Sequence, residues 1–124
     1  MTTRGRILAV EDEARNSALL QAILVRVGYD LTIAATLAEA RAWLRHNRPG
    51  LVLLDRHLPD GDGLEIAREI KADAATADVP VLLVSASVLP VDRVAAEAAG
   101  CDGFIDKSLR VATLLEEIER HLVR

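Results

Sequence analysis

Short apolar runs alternate with helical patterns along the chain, five times over. The runs predict five strands: Ile7–Val10, Leu31–Ala34, Leu51–Leu54, Val79–Val84 and a strand centred on Phe104 and Ile105. A strand with one face in water alternates between apolar and polar residues, whereas these runs are apolar almost throughout. We therefore expect strands that are buried on both faces of a parallel sheet.

Between the runs, apolar residues recur at the three- and four-residue spacings of amphipathic helices. Thr36 has the residue type and position of a helix N-cap, and Gly28 those of a helix end. The five predicted helices are one that ends at Gly28, one that begins after Thr36, and those at about Leu64–Lys71, at Pro90–Ala99 and from Val111 to Leu122.

Helices that follow every strand must cover both sides of the sheet, and crossovers between parallel strands are right-handed. The pattern therefore predicts an α/β fold with a single doubly wound five-stranded parallel sheet. The flavodoxin-like strand order 2-1-3-4-5 fits it. Residues 1–124 are expected to form one domain, since no linker or low-complexity tract interrupts them.

Composition and charge argue against several classes of function and location. The chain has 15 Lys and Arg against 19 Asp and Glu, a net charge of −4, and only 2% aromatic residues, which argues against direct binding of nucleic acid. No apolar run is long enough to span a membrane, and the first residues lack a signal-peptide core, so a cytoplasmic location is expected. One cysteine, Cys101, excludes an internal disulfide and a cysteine-based zinc site.

Acidic residues follow two of the strands: Glu11 and Asp12 come after the first, and Asp55 after the third. In the predicted order these strands are neighbours at the topological switch point, where open α/β sheets bind ligands. Clustered carboxylates repel one another, and a hard divalent cation relieves the repulsion. These side chains predict a Mg²⁺ site.

Two more polar residues end strands at the same edge of the sheet. Ser85 follows the fourth strand and Lys107 the fifth. A hydroxyl and an ammonium group facing a carboxylate–Mg²⁺ site suit a phosphoryl group, because the ammonium balances its charge and the hydroxyl donates a hydrogen bond.

These residues together resemble the receiver domain of two-component response regulators. The resemblance rests on Glu11-Asp12, Asp55, Ser85-Ala86 and Phe104-Ile105-Asp106-Lys107, and it covers the whole chain. The segment from Leu53 to Gly63 is similar to the family's phosphorylation loop, with Pro59 and Gly63 in the same register.

The resemblance implies that Asp55 is the phosphoacceptor and that a histidine kinase or histidine phosphotransfer protein is the donor. Asp12 and Asp55 would bind Mg²⁺ directly, Glu11 through water, and His57 through its backbone carbonyl. Ser85 and Lys107 would contact the phosphoryl oxygens.

Phe104 matches the family's switch aromatic, which turns inward when Ser85 moves toward the phosphate. The surface of the fourth helix, fifth strand and fifth helix would then signal to a downstream protein or a fused output domain. On this view the chain is a signalling phosphoacceptor rather than an enzyme acting on a separate substrate.

Three alternatives to a phosphoacceptor receiver domain are an enzyme and two kinds of binding protein. A small phosphatase with an aspartate nucleophile usually has a second Asp two residues later, where this chain has His57. A flavodoxin-like protein needs a phosphate-binding loop after the first strand, where Glu11-Asp12-Glu13 would repel phosphate. A pseudo-receiver that serves as a binding module should have lost part of the pocket, which is complete here.

The remaining residues of interest have plain structural interpretations. Glu13 and Asp60 are expected to be solvated loop acids, and Pro59 and Gly63 turn residues. Trp43 is expected in helix packing and Cys101 as a small buried filler, with His46 and His121 on the surface. His57 is expected to be an exposed loop side chain, although its ring would lie at the mouth of the pocket.

Two positions depart from the family pattern. Ser108 stands where the family usually has a proline joined by a cis bond, so we expect a trans Lys107–Ser108 bond. Gly103 stands where many DNA-binding relatives carry an acid, so their dimer interface is not assumed for this chain.

Overall fold

The computed structural model describes residues 3–86, 89–107 and 110–122. The five long strands are β1 (Arg6–Val10), β2 (Asp30–Ala34), β3 (Leu51–Leu54), β6 (Val81–Ser85) and β7 (Gly103–Asp106). They form one parallel sheet in the order β2-β1-β3-β6-β7. Because β6 and β7 are the fourth and fifth strands of this sheet, the order is the predicted 2-1-3-4-5. The predicted fold class is confirmed. The Lys107–Ser108 bond lies outside the described residues.

A small hairpin, absent from the prediction, fills the loop after β3. It consists of β4 (His57–Leu58) and β5 (Gly61–Asp62), which pair antiparallel. Two-residue strands are too short to leave a periodic signal in the sequence, which explains why the pattern missed them.

Five helices connect and follow the long strands: α1 (Ala14–Val27), α2 (Leu37–Leu44), α3 (Leu64–Ala72), α4 (Pro90–Ala98) and α5 (Val111–His121). Both predicted helix boundaries are confirmed. The Thr36 hydroxyl accepts a hydrogen bond from the Glu39 backbone N–H, and Gly28 ends α1 in the left-handed region at φ 106°.

The core lies in two layers, one on each face of the sheet. Alternate residues of β1 belong to different layers, with Leu8 and Val10 in one and Ile7 and Ala9 in the other. The first layer packs against α2, α3 and α4, and the second against α1 and α5. Burial on both faces is the physical reason for the apolar runs of β1, β3 and β6. The edge strands β2 and β7 are only partly buried, so the expectation of burial on both faces is wrong for them.

Among the single residues, Trp43 packs against the first layer and His46 is exposed, as predicted. His121 was expected on the surface, but only 22% of its side chain is exposed, because α5 holds it beside Gly103. Cys101 is half-buried against the first layer, and burial raises the pKa of its thiol to about 11. No helix in the described part of the chain is long and apolar enough to cross a membrane.

Candidate functional site

Strand register brings the first two acidic positions together. Val10 lies opposite Leu54 in the pairing of β1 with β3, so Glu11 and Asp55 leave the sheet side by side. The Asp55 backbone N–H donates to the Val10 carbonyl at 3.0 Å, which extends the ladder by one residue and fixes the start of the loop. The two carboxylates therefore share one sheet edge because their strands are neighbours.

Glu11, Asp12 and Asp55 form an acidic cluster. One carboxylate oxygen from each lies within 4.8 Å of the others. Glu11 is only 5% exposed, whereas Asp12 faces solvent. The Glu13 side chain does not join the cluster among the described residues, but its backbone N–H donates to Glu11 at 3.2 Å.

Lys107 bridges two members of this cluster. Its ammonium nitrogen lies 3.2 Å from Glu11 Oε1 and 3.3 Å from Asp55 Oδ2. Burial by itself lowers the pKa of Lys107, but the charges of Asp55 and Glu11 and hydrogen bonds to both outweigh burial, so the pKa is raised. The lysine is therefore held in its charged form beside the acids.

Ser85 and Lys107 are positioned by adjacent strands. Ser85, the last residue of β6, lies opposite Asp106 in β7, and the Lys107 backbone N–H donates to the Ser85 carbonyl at 2.9 Å. Ser85 is 9% exposed. The hydroxyl-bearing residue and the ammonium-bearing residue thus lie at the same edge of the sheet as the acids.

The loop after Asp55 is held close to its own start. The His57 backbone N–H lies 3.4 Å from Asp55 Oδ1, and the His57 side chain is exposed. The Gly63 backbone N–H donates to the Arg56 carbonyl at 2.7 Å. A Cβ at Gly63 would lie 1.9 Å from the Asp55 carbonyl oxygen, so the backbone can close only around a glycine.

Phe104 lies on β7, half-buried against the core layer that also contains α4. It pairs with Leu83, two residues before Ser85, so Phe104 and Ser85 belong to the same face of the sheet. The Arg93 guanidinium of α4 lies 5.0 Å from the centre of its ring, within the range of a cation–π interaction.

Asp60 is an exposed loop acid, as expected from the sequence, but its carboxylate also makes hydrogen bonds that the sequence did not predict. Its two carboxylate oxygens accept hydrogen bonds from the backbone N–H groups of Leu37, at 2.8 Å, and Ala38, at 3.1 Å. The bond from Leu37 is the largest cause that lowers the pKa of Asp60. Asp60 thereby caps α2 and holds the loop after Asp55 against it. Because 23 residues separate Asp60 from Leu37, local pattern carries no signal of this contact.

The contacts of Arg56, like those of Asp60, could not be predicted from the local sequence. Its guanidinium pairs with Asp62 of the hairpin at 3.4 Å and with Asp92 in the first turn of α4 at 3.0 Å. The loop after Asp55 therefore contacts α2 through Asp60 and α4 through Arg56.

The donor set of the acidic cluster fits one kind of metal ion. All its side-chain ligands are carboxylate oxygens, hard donors that suit Mg²⁺, and the described residues place no cysteine or histidine among them. The Asp12 carboxylate is solvent-exposed, so an ion held by this cluster would also be open to water.

The family model for the response regulator receiver domain matches residues 7–119 of this chain. The chain belongs to that family. This assignment confirms the resemblance inferred from the sequence, and the alternative of a small phosphatase is not better supported.

Individual relatives agree with the family. The chain is 32% identical over 123 residues to the DNA-binding response regulator MtrA of Mycobacterium tuberculosis, covering 99% of this chain and 53% of MtrA. It is 30% identical over 116 residues to the polar-differentiation response regulator DivK of Brucella anthropi, covering 94% of each. The chain thus spans about half the length of MtrA.

A solved receiver domain has a similar backbone and contains a metal ion. The receiver domain of the sensor histidine kinase PA1611 from Pseudomonas aeruginosa superposes with a TM-score of 0.86 at 31% identity, covering 94% of this chain and 95% of that one. In that structure a magnesium ion is coordinated in the active-site cleft.

Proposed function

We propose that Asp55 is the phosphoacceptor of this receiver domain and takes its phosphoryl group from a phosphohistidine. The observation that carries the proposal is the position of Lys107, whose ammonium spans Asp55 and Glu11 at 3.3 and 3.2 Å. A charged lysine beside a carboxylate nucleophile is positioned to balance the negative charge of an incoming phosphoryl group. Asp55 is also accessible, with 12% of its side chain exposed.

Mg²⁺ is the cofactor that suits this reaction. Asp12 and Asp55 would hold it directly, Glu11 through water, and the backbone carbonyl of His57 would supply a further ligand. When bound, the ion neutralises charge on the phosphoryl oxygens. The carboxylate cluster and the magnesium ion of the PA1611 receiver domain support this assignment.

In the transfer, an Asp55 carboxylate oxygen forms a bond to phosphorus while the P–N bond of the donor histidine breaks. The leaving imidazole nitrogen keeps the electron pair of the broken bond. The product is an acyl phosphate on Asp55. Lys107 then contacts a phosphoryl oxygen from one side, and the Ser85 hydroxyl donates a hydrogen bond to another.

The donor is a histidine kinase or a histidine phosphotransfer protein, which must cover the edge of the sheet to bring its imidazole to Asp55. An apolar cleft between α1 and α5 opens beside Glu11 and Lys107, with Leu20 and Leu114 in its lining. Exposed Leu19, at 58%, belongs to the same cleft. An apolar surface next to the acceptor supports a protein donor.

The signal leaves through a surface formed by α4, β7 and α5, toward a downstream protein or a fused output domain. Val91 and Val94 of α4 are 67% and 66% exposed, which supports a protein contact there. Ser85 and Phe104 share one face of the sheet, and the family resemblance implies that the Phe104 ring turns inward when Ser85 moves toward a phosphoryl group. The net charge of −4 makes direct contact with nucleic acid unfavourable.

Incubation with acetyl phosphate and Mg²⁺, followed by intact mass measurement, tests the proposal. We expect a gain of one phosphoryl group in the wild type and none in Asp55→Asn. Asp60→Asn is the matched control, because it removes a carboxylate from the same loop and should still be phosphorylated. A pseudo-receiver would remain unmodified, and equal modification of Asp55→Asn would assign the phosphoryl group to another residue.

A further inference from the structure

The first turn of α4 has little apolar packing to hold it. Ala96, in the last turns of the helix, is its one buried residue. At the other end, Leu89 is 60% exposed and Val91 is 67% exposed. Apolar burial therefore contributes little to the position of the N-terminal end of α4, and polar contacts there carry more weight.

Asp92 supplies such a contact. Its Oδ1 atom lies 3.0 Å from Nη1 of Arg56, and the two side chains are only 18% and 25% exposed. By comparison, the surface pair between Arg48 and Asp78 is 47% and 70% exposed. A pair shielded from water is less weakened by solvent and salt than such surface pairs.

Arg56 is itself fixed to the loop that carries Asp55. Its carbonyl accepts the Gly63 N–H at 2.7 Å, and its Nε lies 3.4 Å from Asp62. Asp55 is the preceding residue in the chain. The Arg56 guanidinium therefore contacts the hairpin through Nε and α4 through Nη1, so it joins α4 to the loop after Asp55.

We propose that the Arg56–Asp92 ion pair is a latch that holds the first turn of α4 on the loop after Asp55. Any displacement of that turn must break or stretch the pair. The latch thus sets how freely α4 leaves the position seen here. Its role in signalling rests on the proposed phosphorylation of Asp55, since a phosphoryl group shifts α4 only by stabilising a displaced position more than the latched one.

Hydrogen exchange of individual amides, followed by NMR without any phosphodonor, tests the latch. The variants are Arg56→Gln, Asp92→Asn and the double variant, with Glu97→Gln as the control, because it removes an exposed carboxylate from the same helix. We expect each single latch variant to speed exchange of the amides of residues 93–98 by about 3- to 10-fold. The effect of the double variant should fall short of the sum of the two single effects, because both changes remove the Arg56–Asp92 pair.

Three results would overturn the latch: unchanged amide exchange in α4, additive effects in the double variant, or an equal effect of Glu97→Gln. So would an equal rise at the core amides of β1 and β3, since that would mean loss of global stability. Acetyl phosphate treatment of the wild type is a separate arm. If Asp55 stays unmodified, the proposed function fails, while the exchange data still decide the latch.

Discussion

The Cβ of any side chain placed at Gly63 would lie 1.9 Å from the backbone carbonyl oxygen of Asp55. Gly63 has φ −56°, a conformation open to every residue, so the backbone angle does not require glycine there. Instead, glycine is required because two backbone segments touch: the start of the loop at Asp55 and the start of α3. Gly63 therefore sets the position of the proposed phosphoacceptor from eight residues away.

Gly63→Ala should consequently damage both stability and phosphorylation. The added methyl group meets backbone atoms, which cannot rotate away, so we expect a loss of about 2–3 kcal/mol in the free energy of unfolding. Urea unfolding measures this loss, and the folded fraction should also react more slowly with acetyl phosphate. A free energy of unfolding within about 0.5 kcal/mol of the wild type would contradict the steric argument.

Mg²⁺ should bind the acidic cluster with a millimolar to submillimolar Kd. Asp12→Ala removes one of the two direct ligands, and we expect it to weaken binding at least about tenfold, as measured by titration calorimetry. Glu13→Gln is the matched control, because Glu13 neighbours the cluster without adding a side-chain ligand to it. Equal binding by the wild type and Asp12→Ala would remove Asp12 from the site.

Lys107→Met should move two measurements in opposite directions. The ammonium competes with a cation for Glu11 and Asp55, so its loss should tighten Mg²⁺ binding. It also balances charge on the phosphoryl group, so its loss should slow phosphorylation by acetyl phosphate roughly 10- to 100-fold.

Lys71→Met is the control for this experiment. Lys71 contacts the Val79 carbonyl and Asp102 near the start of β6, at the opposite end of the strand from Ser85. Its replacement should leave metal binding and phosphorylation of the folded protein unchanged. Weaker Mg²⁺ binding together with slower phosphorylation in Lys107→Met would indicate damage to the fold instead.

Asp60 should contribute stability that depends on pH. Backbone hydrogen bonds, first that from Leu37, lower its pKa below the ordinary value of 3.8. The contribution of a carboxylate with a lowered pKa is complete above its unfolded-state pKa and is lost as the pH falls through the folded-state value. Asp60→Asn should therefore unfold at a lower temperature than the wild type at pH 7, and the difference should shrink below a pH of about 3.8. A constant difference down to pH 3 would contradict the assignment.

Ser85→Ala should separate acceptance of the phosphoryl group from transmission of the signal. Asp55 keeps Lys107 and the acidic cluster in this variant, so phosphorylation should persist. Without the hydroxyl, Ser85 no longer draws the end of β6 toward the phosphoryl group, so α4 and Phe104 should respond weakly. NMR shifts of residues 89–106 with a beryllofluoride phosphate mimic measure the response. A shift pattern identical to that of the wild type would disprove the coupling.

The sheet and its order were predictable because the three central strands, β1, β3 and β6, are buried on both faces and are therefore apolar along most of their length. The grouping of Glu11, Asp55 and Lys107 was predictable for the same reason, since residues that follow parallel strands emerge at one edge. Contacts made by side chains across the fold left no such trace. Asp60 resembles any loop acid, and Arg56 any loop arginine, until the structure brings Leu37 and Asp92 to them. The sequence identified Gly63 as a turn residue, but glycine is required there because the Asp55 backbone leaves no space for a Cβ.

Trp43 is the one tryptophan of the chain, and it packs into the core layer toward the end of α2. It lies six residues beyond the Asp60-capped Leu37, about 9 Å along the helix axis. Its fluorescence is therefore an intrinsic reporter of whether this helix remains docked. Because the indole packs against the apolar layer, we expect its emission to change when that layer opens, so unfolding of this part of the core can be followed optically.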